Sequence, residues 1–98
     1  MNISAAELKR MLAKSDLPVL IDVREELEFQ TFNIGGKNIP LGRLPQAIEN
    51  EDLDKASDIV VICQRGFRSE TARRMLAAAG FDKVKNVEGG LLAYMRLV

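Results

Sequence analysis

The sequence predicts a single α/β domain built around a mainly parallel sheet. Short apolar runs rich in branched side chains alternate along the chain with segments of helical periodicity, as in βαβ units. The length of 98 residues suits one domain and is too short for two, so residues 1–98 are predicted to form one unit. The apolar fraction of 47% is typical of a globular chain with its own core.

The N-terminal part of the chain is expected to begin with a helix and continue into a strand. Ser4 and Glu7 have the spacing of a capping box, and apolar residues then mark one helical face. Residues 17–23 (LPVLIDV) form a short branched run, which predicts a strand buried on both faces. Residues 24–32 (REELEFQTF) predict a brief helix with Leu27 turned inward.

Three elements are expected in the middle of the chain. Residues 34–40 (IGGKNIP) predict a glycine turn and a short strand that Pro40 ends. Residues 44–53 (LPQAIENEDL) predict a small helix with proline near its start. Residues 58–63 (DIVVIC) predict a second buried strand, which ends at the cysteine.

The C-terminal part carries the strongest helical signal. Residues 68–80 (RSETARRMLAAAG) combine alanines of high helix propensity with an apolar face, and Gly80 suits the residue after the C-cap. Residues 83–87 (KVKNV) predict a last strand, and residues 89–98 (GGLLAYMRLV) an amphipathic helix.

Composition excludes several classes of function. Fourteen basic and fourteen acidic residues cancel, so no overall charge attracts nucleic acid or anionic lipid, and neither is an expected partner. No secretion signal or membrane span is evident, and one cysteine cannot form an internal disulfide, which favours a reducing cytoplasm. With no histidine, the chain has no Ser-His-Asp triad and no Cys-His pair. No metal site and no cofactor are expected.

The only cysteine, Cys63, follows a predicted central strand, where parallel sheets place their ligand crevice. The next residues can form a tight loop that leads into a helix, so backbone amides and the helix terminus would surround the sulfur. Gly66 permits a positive φ, and Arg65 and Arg68 add charge; all of these effects favour thiolate over thiol. If only residues 60–63 (VVIC) are considered, Cys63 is better interpreted as a small buried hydrophobic residue. The five residues after it favour a nucleophile.

Several ordered motifs resemble the rhodanese family of sulfurtransferases. Residues 63–69 (CQRGFRS) resemble its active-site loop, Cys-x-x-Gly-x-Arg-Ser. Residues 20–29 (LIDVREELEF) are similar to its Leu-Ile-Asp-Val-Arg motif followed by Glu and an aromatic. Residues 34–41 (IGGKNIPL) resemble the segment leading into its second strand, and residues 80–94 (GFDKVKNVEGGLLAY) its closing strand and Gly-Gly helix.

The resemblance implies a single rhodanese-like domain with a five-stranded, mainly parallel sheet flanked by helices on both faces. It also implies that Cys63 accepts sulfane sulfur from a small sulfur-containing anion such as thiosulfate. The cysteine would hold this sulfur as a persulfide and pass it to a thiol, to cyanide or to a sulfur-carrier protein.

The loop residues receive roles within that chemistry. Arg65 is expected to dock the anionic donor, and Arg68 to brace the loop as well as add charge. Ser69 has two open roles, stabilising the persulfide through its hydroxyl or capping the following helix. Gln64 and Phe67 complete the loop.

Charged residues outside the loop are expected to play supporting roles. Asp22 and Arg24 end the first buried strand and should lie at the same edge of the sheet as the cysteine. Asp22 is predicted to bind nearby loop amides, although catalysis is an alternative, and Arg24 to pair with Glu28 one helical turn on. Arg73 and Arg74 are expected on an exposed helix face, where they could also extend a basic surface for a partner.

Two departures from the family pattern are visible. Phe32 and Asn33 replace the Gly-His pair that many members carry, and Tyr94 replaces a common tryptophan. Residues 33–45 (NIGGKNIPLGRLP) resemble rhodanese domains fused behind ubiquitin-activating-like enzymes of cofactor biosynthesis. In that setting the acceptor would be a sulfur-carrier protein that ends in Gly-Gly, and the domain would act as a sulfur-relay or docking module.

Two other functional classes stay open. Cell-cycle phosphatases and arsenate reductases of this fold use a Cys-x5-Arg loop, whereas four residues separate Cys63 and Arg68 here. Because a tetrahedral phosphate needs the larger ring of amides, the spacing favours sulfur chemistry. A non-catalytic binding module is the second class, and the presence of Cys63 argues against it.

Overall fold

The fold is an α/β domain with one five-stranded parallel sheet, and the computed structural model describes residues 1–14 and 18–97. The strands are β1 (Asn2–Ile3), β2 (Val19–Asp22), β3 (Lys37–Asn38), β4 (Ile59–Ile62) and β5 (Val84–Val87). Their order across the sheet is β1-β5-β4-β2-β3, and every pairing is parallel. The predicted fold class and the five-stranded sheet are confirmed.

Helices connect the strands and lie on both faces of the sheet. They are α1 (Ala5–Leu12), α2 (Glu26–Thr31), a short 3₁₀ helix (Leu41–Arg43), α3 (Leu44–Glu49), α4 (Phe67–Ala78) and α5 (Gly90–Met95). No helix in the described part of the chain is long and apolar enough to cross a membrane.

The strand register brings three strand ends together. Asp22 of β2 lies opposite Ile62 of β4, and Val61 of β4 lies opposite Asn86 of β5. Cys63 follows Ile62 directly, so it lies at the carboxyl edge of the sheet between the ends of β2 and β5.

The central strand β4 faces a separate apolar cluster on each side of the sheet. Ile59 and Val61 pack with side chains from α3 and α4, whereas Val60 and Ile62 pack with side chains from α1 and α5. Side chains alternate along a strand, so Cys63 continues the phase of Ile59 and Val61. Its sulfur therefore lies on the α4 side of the sheet.

Local sequence signals are confirmed at several helix ends. Ser4 and Glu7 form the reciprocal capping box of α1, and Pro45 lies in the first turn of α3. Gly80 follows the C-cap of α4 with φ of 98°. The predicted first buried strand is present as β2, although its expected start at Leu17 lies outside the described residues.

Two expectations from the residue pattern need correction. β1 was not predicted from the pattern, because two residues directly before a helix cap carry no period-2 signal. Leu27 is 75% exposed and does not turn inward. α2 has only six residues, less than two turns, so its apolar pattern is too short to define which side faces the core.

Candidate active site around Cys63

The sulfur of Cys63 is recessed and hydrogen-bonded to the loop that follows it. The residue is 1% exposed. Its Sγ accepts hydrogen bonds from the backbone amides of Gly66 at 3.1 Å and Ser69 at 3.3 Å. The loop thus encloses the sulfur with peptide donors, which stabilise a negative charge there without any histidine.

Gly66 gives the loop its tight turn, as the sequence predicted. Its φ is 97°, a left-handed conformation that glycine adopts readily. A side chain here would also be crowded, because a Cβ would lie 3.3 Å from the amide nitrogen of Gly89 and 3.4 Å from the carbonyl oxygen of Val87. α4 begins at the next residue, Phe67, so only residues 64–66 separate the cysteine from the helix.

The structure excludes one of the two roles considered for Ser69. Gly66 is the N-cap of α4, so the helix-capping role of Ser69 is wrong. Ser69 is fully buried in the first turn, and its Oγ lies 3.2 Å from Cys63 Sγ. The same hydroxyl donates to Oδ1 of Asn86, whose Nδ2 donates to the carbonyl oxygen of Gly66. The hydroxyl therefore contacts the sulfur, and Asn86 supports both the serine and the turn.

α5 holds the start of the loop. The amides of Leu91 and Leu92 donate to the carbonyl oxygens of Cys63 at 2.9 Å and Gln64 at 3.1 Å. This contact requires glycine at position 90, because a Cβ on Gly90 would lie only 2.4 Å from the carbonyl oxygen of Cys63. The Gly-Gly segment therefore serves to bring two backbones together.

An open depression of about 220 Å³ lies above the sulfur. It is lined by Cys63, Gln64, Arg65, Phe67 and Arg68. Phe67 is 78% exposed at its rim. Arg65 is also exposed, and it forms no salt bridge with any residue that the structure describes. Its charge is therefore available to an anionic ligand, as its expected docking role requires.

Arg68 forms an ion pair with Glu28, the carboxylate that was predicted to pair with Arg24. Its guanidinium forms two hydrogen bonds with Glu28 of α2, at 2.6 and 3.0 Å. The hydrogen bond from Arg68 is the main cause that lowers the pKa of Glu28 to about 2, and the same bond raises the pKa of Arg68. Arg68 thus ties the first turn of α4 to α2, while Glu28 offsets much of its charge.

The predicted pairing of Arg24 with Glu28 is wrong. The Arg24 guanidinium forms three hydrogen bonds with the carboxylate of Asp22, at 2.8 to 3.2 Å. Its one hydrogen bond to Glu28 goes to the backbone carbonyl and not to the side chain. Asp22 also accepts the Arg24 amide, which agrees with its expected role in binding loop amides. Both side chains are buried, so losing one partner would cost about 3–5 kcal/mol. The pair supports the edge of the sheet.

Arg73 and Arg74 do not form a free basic surface. Both bind Glu70, at 2.7 and 3.0 Å, although Arg74 remains largely exposed. The hydrogen bond from Arg73 is the main cause that lowers the pKa of Glu70 to about 2. Glu70 therefore offsets part of the positive charge of these two arginines, and a partner would find less basic surface than the sequence suggested.

The two departures from the family pattern have local structural roles. Asn33 closes the end of α2, since its Nδ2 donates to the carbonyl oxygen of Phe29 and its Oδ1 accepts the amide of Gly35, both at 2.9 Å. Tyr94 is partly buried against the apolar cluster under α1 and α5. Neither residue makes a hydrogen bond to Cys63 in the described part of the chain.

Sequence reasoning missed Asn86, Glu28 and Gly90 as parts of the site. The alternation in β5 carries a signal for Asn86, because a polar residue shares the inward phase of buried Val84. The sequence carries no signal that Glu28 is the partner of Arg68. Forty residues separate the two, and either arginine of the loop could pair with this carboxylate.

Comparison with known proteins agrees with this geometry. Residues 4–97 match the rhodanese-like domain. The chain belongs to the rhodanese-like domain family. A putative sulfurtransferase of Bacillus subtilis, YtwF, is 39% identical over 93 residues, which cover 94% of this chain and 87% of that protein.

Other similar proteins differ from this chain in length or in sequence identity. The tRNA uridine(34) hydroxylase of an Enterobacter species is 33% identical over 96% of this chain, but the chain spans only 28% of that protein. A rhodanese-like domain protein from Staphylococcus aureus shares the fold with a TM-score of 0.85 and 31% identity, covering 96% of this chain and 91% of that one. The human single-domain sulfurtransferase TSTD1 shows the same fold, with a TM-score of 0.86, 24% identity and coverage of 99% and 96%.

Proposed function

We propose that this protein is a sulfurtransferase in which Cys63 carries sulfur as a persulfide. The observation that carries the proposal is the Cys63 sulfur, bound by the amides of Gly66 and Ser69 at the floor of an open depression. We further propose that residues 1–98 act as one catalytic domain in a reducing cytoplasm, where the free thiol of Cys63 is kept from forming disulfides.

The donor in this proposal is a small anion with a terminal sulfane sulfur, such as thiosulfate. The Cys63 thiolate attacks that sulfur, a new S–S bond forms, and sulfite leaves with the electron pair of the broken bond. An acceptor such as cyanide or a thiolate then attacks the terminal sulfur of the persulfide and restores the Cys63 thiolate. The recessed sulfur favours slim donors, and the exposed charge of Arg65 attracts anions.

The loop also offers donors to the persulfide itself. Among the described residues, no protein acceptor is paired with the backbone amides of Arg65, Phe67 and Arg68. Amides of this kind are suited to bind the terminal, negatively charged sulfur of a persulfide. The proposed roles are therefore nucleophile for Cys63, donor docking for Arg65, loop bracing for Arg68, and contact with the sulfur for Ser69. Asp22 and Arg24 support the sheet edge.

A protein acceptor is a second candidate, favoured by an apolar groove of about 570 Å³ beside the depression. Exposed Leu27, Phe32 and Met95 line this groove together with Gln64, which also lines the depression over Cys63. Exposed apolar patches of this kind mark interaction surfaces. A sulfur-carrier protein that lies on the groove would place its tail near the persulfide.

The experiment compares two activities of the purified protein. We expect thiocyanate to form from thiosulfate and cyanide, and aryl phosphates to stay intact. Cys63→Ser should abolish thiocyanate formation, because the chain has no other thiol. Hydrolysis of aryl phosphates that depends on Cys63 would instead support the phosphatase class.

A further inference from the structure

Asn86 lies behind the active-site loop and contacts it twice. It is 4% exposed in β5, opposite Val61 of β4. Its Nδ2 donates to the carbonyl oxygen of Gly66 at 3.2 Å, and its Oδ1 accepts the hydroxyl of Ser69. In the described part of the chain, every buried side-chain nitrogen and oxygen atom has a hydrogen-bond partner. Asn86 therefore has no unsatisfied polar atom.

The contact of Asn86 with Gly66 determines the direction of its hydrogen bond with Ser69. A carbonyl oxygen can only accept, so the side-chain nitrogen of Asn86 must face Gly66 and the side-chain oxygen must face Ser69. The hydroxyl of Ser69 has a single proton, and that proton points to Asn86. Its oxygen lies 3.2 Å from Cys63 Sγ and presents a lone pair. In this arrangement the sulfur can donate to that lone pair only while Cys63 carries its thiol proton.

We propose that Asn86 is a positioning residue that competes with the Cys63 thiolate for the hydrogen bond of the Ser69 hydroxyl. While Cys63 is a thiol, the Ser69 hydroxyl donates to Asn86. When the thiol proton leaves to water, the hydroxyl turns toward Sγ and becomes a third donor beside the amides of Gly66 and Ser69. The heavy atoms stay in place, and only the hydroxyl proton changes partner.

The competition has a consequence in the sulfur-transfer cycle, and this part rests on the proposed function. When Sγ attacks the sulfane sulfur, the donor's S–S bond breaks, its anion leaves with the electron pair, and the charge moves to the terminal sulfur. Sγ then no longer needs the third donor, and the hydroxyl of Ser69 returns to Asn86. Asn86 thus competes with the thiolate for the Ser69 hydrogen bond before attack and accepts that hydrogen bond again after it.

Other charged groups at this edge are the same in every variant of the test. They are Arg65 and Arg68 of the loop and α4, Glu28 of α2, the Asp22–Arg24 pair after β2, and exposed Glu88 after β5. α5 carries no acid or base between Gly90 and Met95 other than the phenol of Tyr94. A change in the pH profile that depends on both Asn86 and Ser69 is therefore assigned to their hydrogen bond.

The test is a double-mutant cycle on the ionisation of the thiol. Wild type, Asn86→Leu, Ser69→Ala and the double variant are alkylated with iodoacetamide across a range of pH. Cys63 is the only thiol, so the rate reports one group. Asn86→Leu should move the midpoint of the rate profile to lower pH by about half a unit to one unit, as one neutral hydrogen bond would. Any part of the shift that persists in the S69A background belongs to the lost donor to Gly66, and the difference between the two shifts should be about half a unit to one unit.

The control for loop distortion is built into the cycle. Asn86→Leu also removes the donor to Gly66, and this effect is present in both backgrounds and cancels in their difference. If the leucine variant does not fold, Asn86→Ala replaces it with the same expected coupling. An equal shift in the two backgrounds would show that Asn86 acts only through the turn and would overturn the proposal. Alkylation needs no sulfur donor, so this result stands apart from the test of the proposed function.

Discussion

Arg68 and Glu28, forty residues apart in sequence, form a bidentate ion pair at the mouth of the Cys63 depression. The pair ties the first turn of α4 to α2 on the neighbouring strand connection. Because Glu28 offsets the charge of Arg68, the exposed cation that remains at the mouth is Arg65. The two loop arginines therefore have different surroundings, since Arg68 is bound to a carboxylate and Arg65 forms no salt bridge with a described residue.

The acid stability of the protein should depend on Glu28. Its pKa is about 2 in the folded protein, below the usual 4.5, so the ion pair stabilises fully above about pH 4.5 and less as the pH falls toward 2. The side chains are about a third exposed, so we expect roughly 1 kcal/mol at stake. Urea unfolding at about pH 6 and pH 3 should show a smaller acid loss for Glu28→Gln than for wild type.

The matched control for that measurement is Glu26→Gln in the same helix. Glu26 pairs with Arg43 in an ion pair that is more than half exposed, so its removal should leave the acid loss as it is in wild type. Equal acid losses for wild type and Glu28→Gln would contradict the assignment of the lowered pKa to the pair with Arg68.

Arg65→Ala should weaken donor attraction and leave the nucleophile intact. We expect a raised KM for thiosulfate and a loss of kcat/KM worth about 1–2 kcal/mol, which shrinks as salt is added. Arg74→Ala is the control, since Arg74 is exposed on α4 and already paired with Glu70. A silent Arg65→Ala at low salt, together with a raised KM for Arg74→Ala, would move the docking site to the helix face.

Arg68→Ala should do more harm than Arg65→Ala, with at least about a tenfold loss of kcat/KM. The substitution loosens the loop and also leaves the carboxylate of Glu28 unpaired beside an anionic donor. Steady-state kinetics of the double variant Arg68→Ala with Glu28→Gln should recover part of the loss. No recovery would show that Arg68 acts through loop shape alone.

Gly90→Ala should damage the site through the backbone. The left-handed φ of 59° alone costs an alanine about 1–2 kcal/mol, and its Cβ would collide with the carbonyl oxygen of Cys63. Thermal unfolding should show a lower midpoint, and sulfur transfer should fall even where the protein folds. Gly42→Ala is the control, since its φ is ordinary and its Cβ would meet nothing within 4 Å. Equal effects of the two substitutions would contradict the role given to Gly90.

Features of the fold and of the site that depend on residues adjacent in sequence could be predicted, whereas contacts between residues far apart in sequence could not. The buried strands β2 and β4, the α1 capping box and the turn at Gly66 follow from neighbouring residues, and the sequence predicts them. The loop around Cys63 was also predicted, because strand, turn and helix are consecutive in the chain. The partners of Arg24 and Arg68 were not, because a carboxylate such as Glu28 can pair with any nearby guanidinium until the fold sets the distances. Asn86 was missed for the same reason, since its contacts come from another strand.

The persulfide itself offers the most direct test of sulfur relay. After incubation with thiosulfate and removal of excess donor, intact mass spectrometry should show the protein heavier by one sulfur atom. A reductant or cyanide should remove that mass, and peptide mapping should place it on Cys63. Cys63→Ser should gain nothing while it remains folded. A wild-type protein that gains no sulfur, or a Cys63→Ser variant that gains the same mass, would contradict the role of Cys63 as the sulfur carrier.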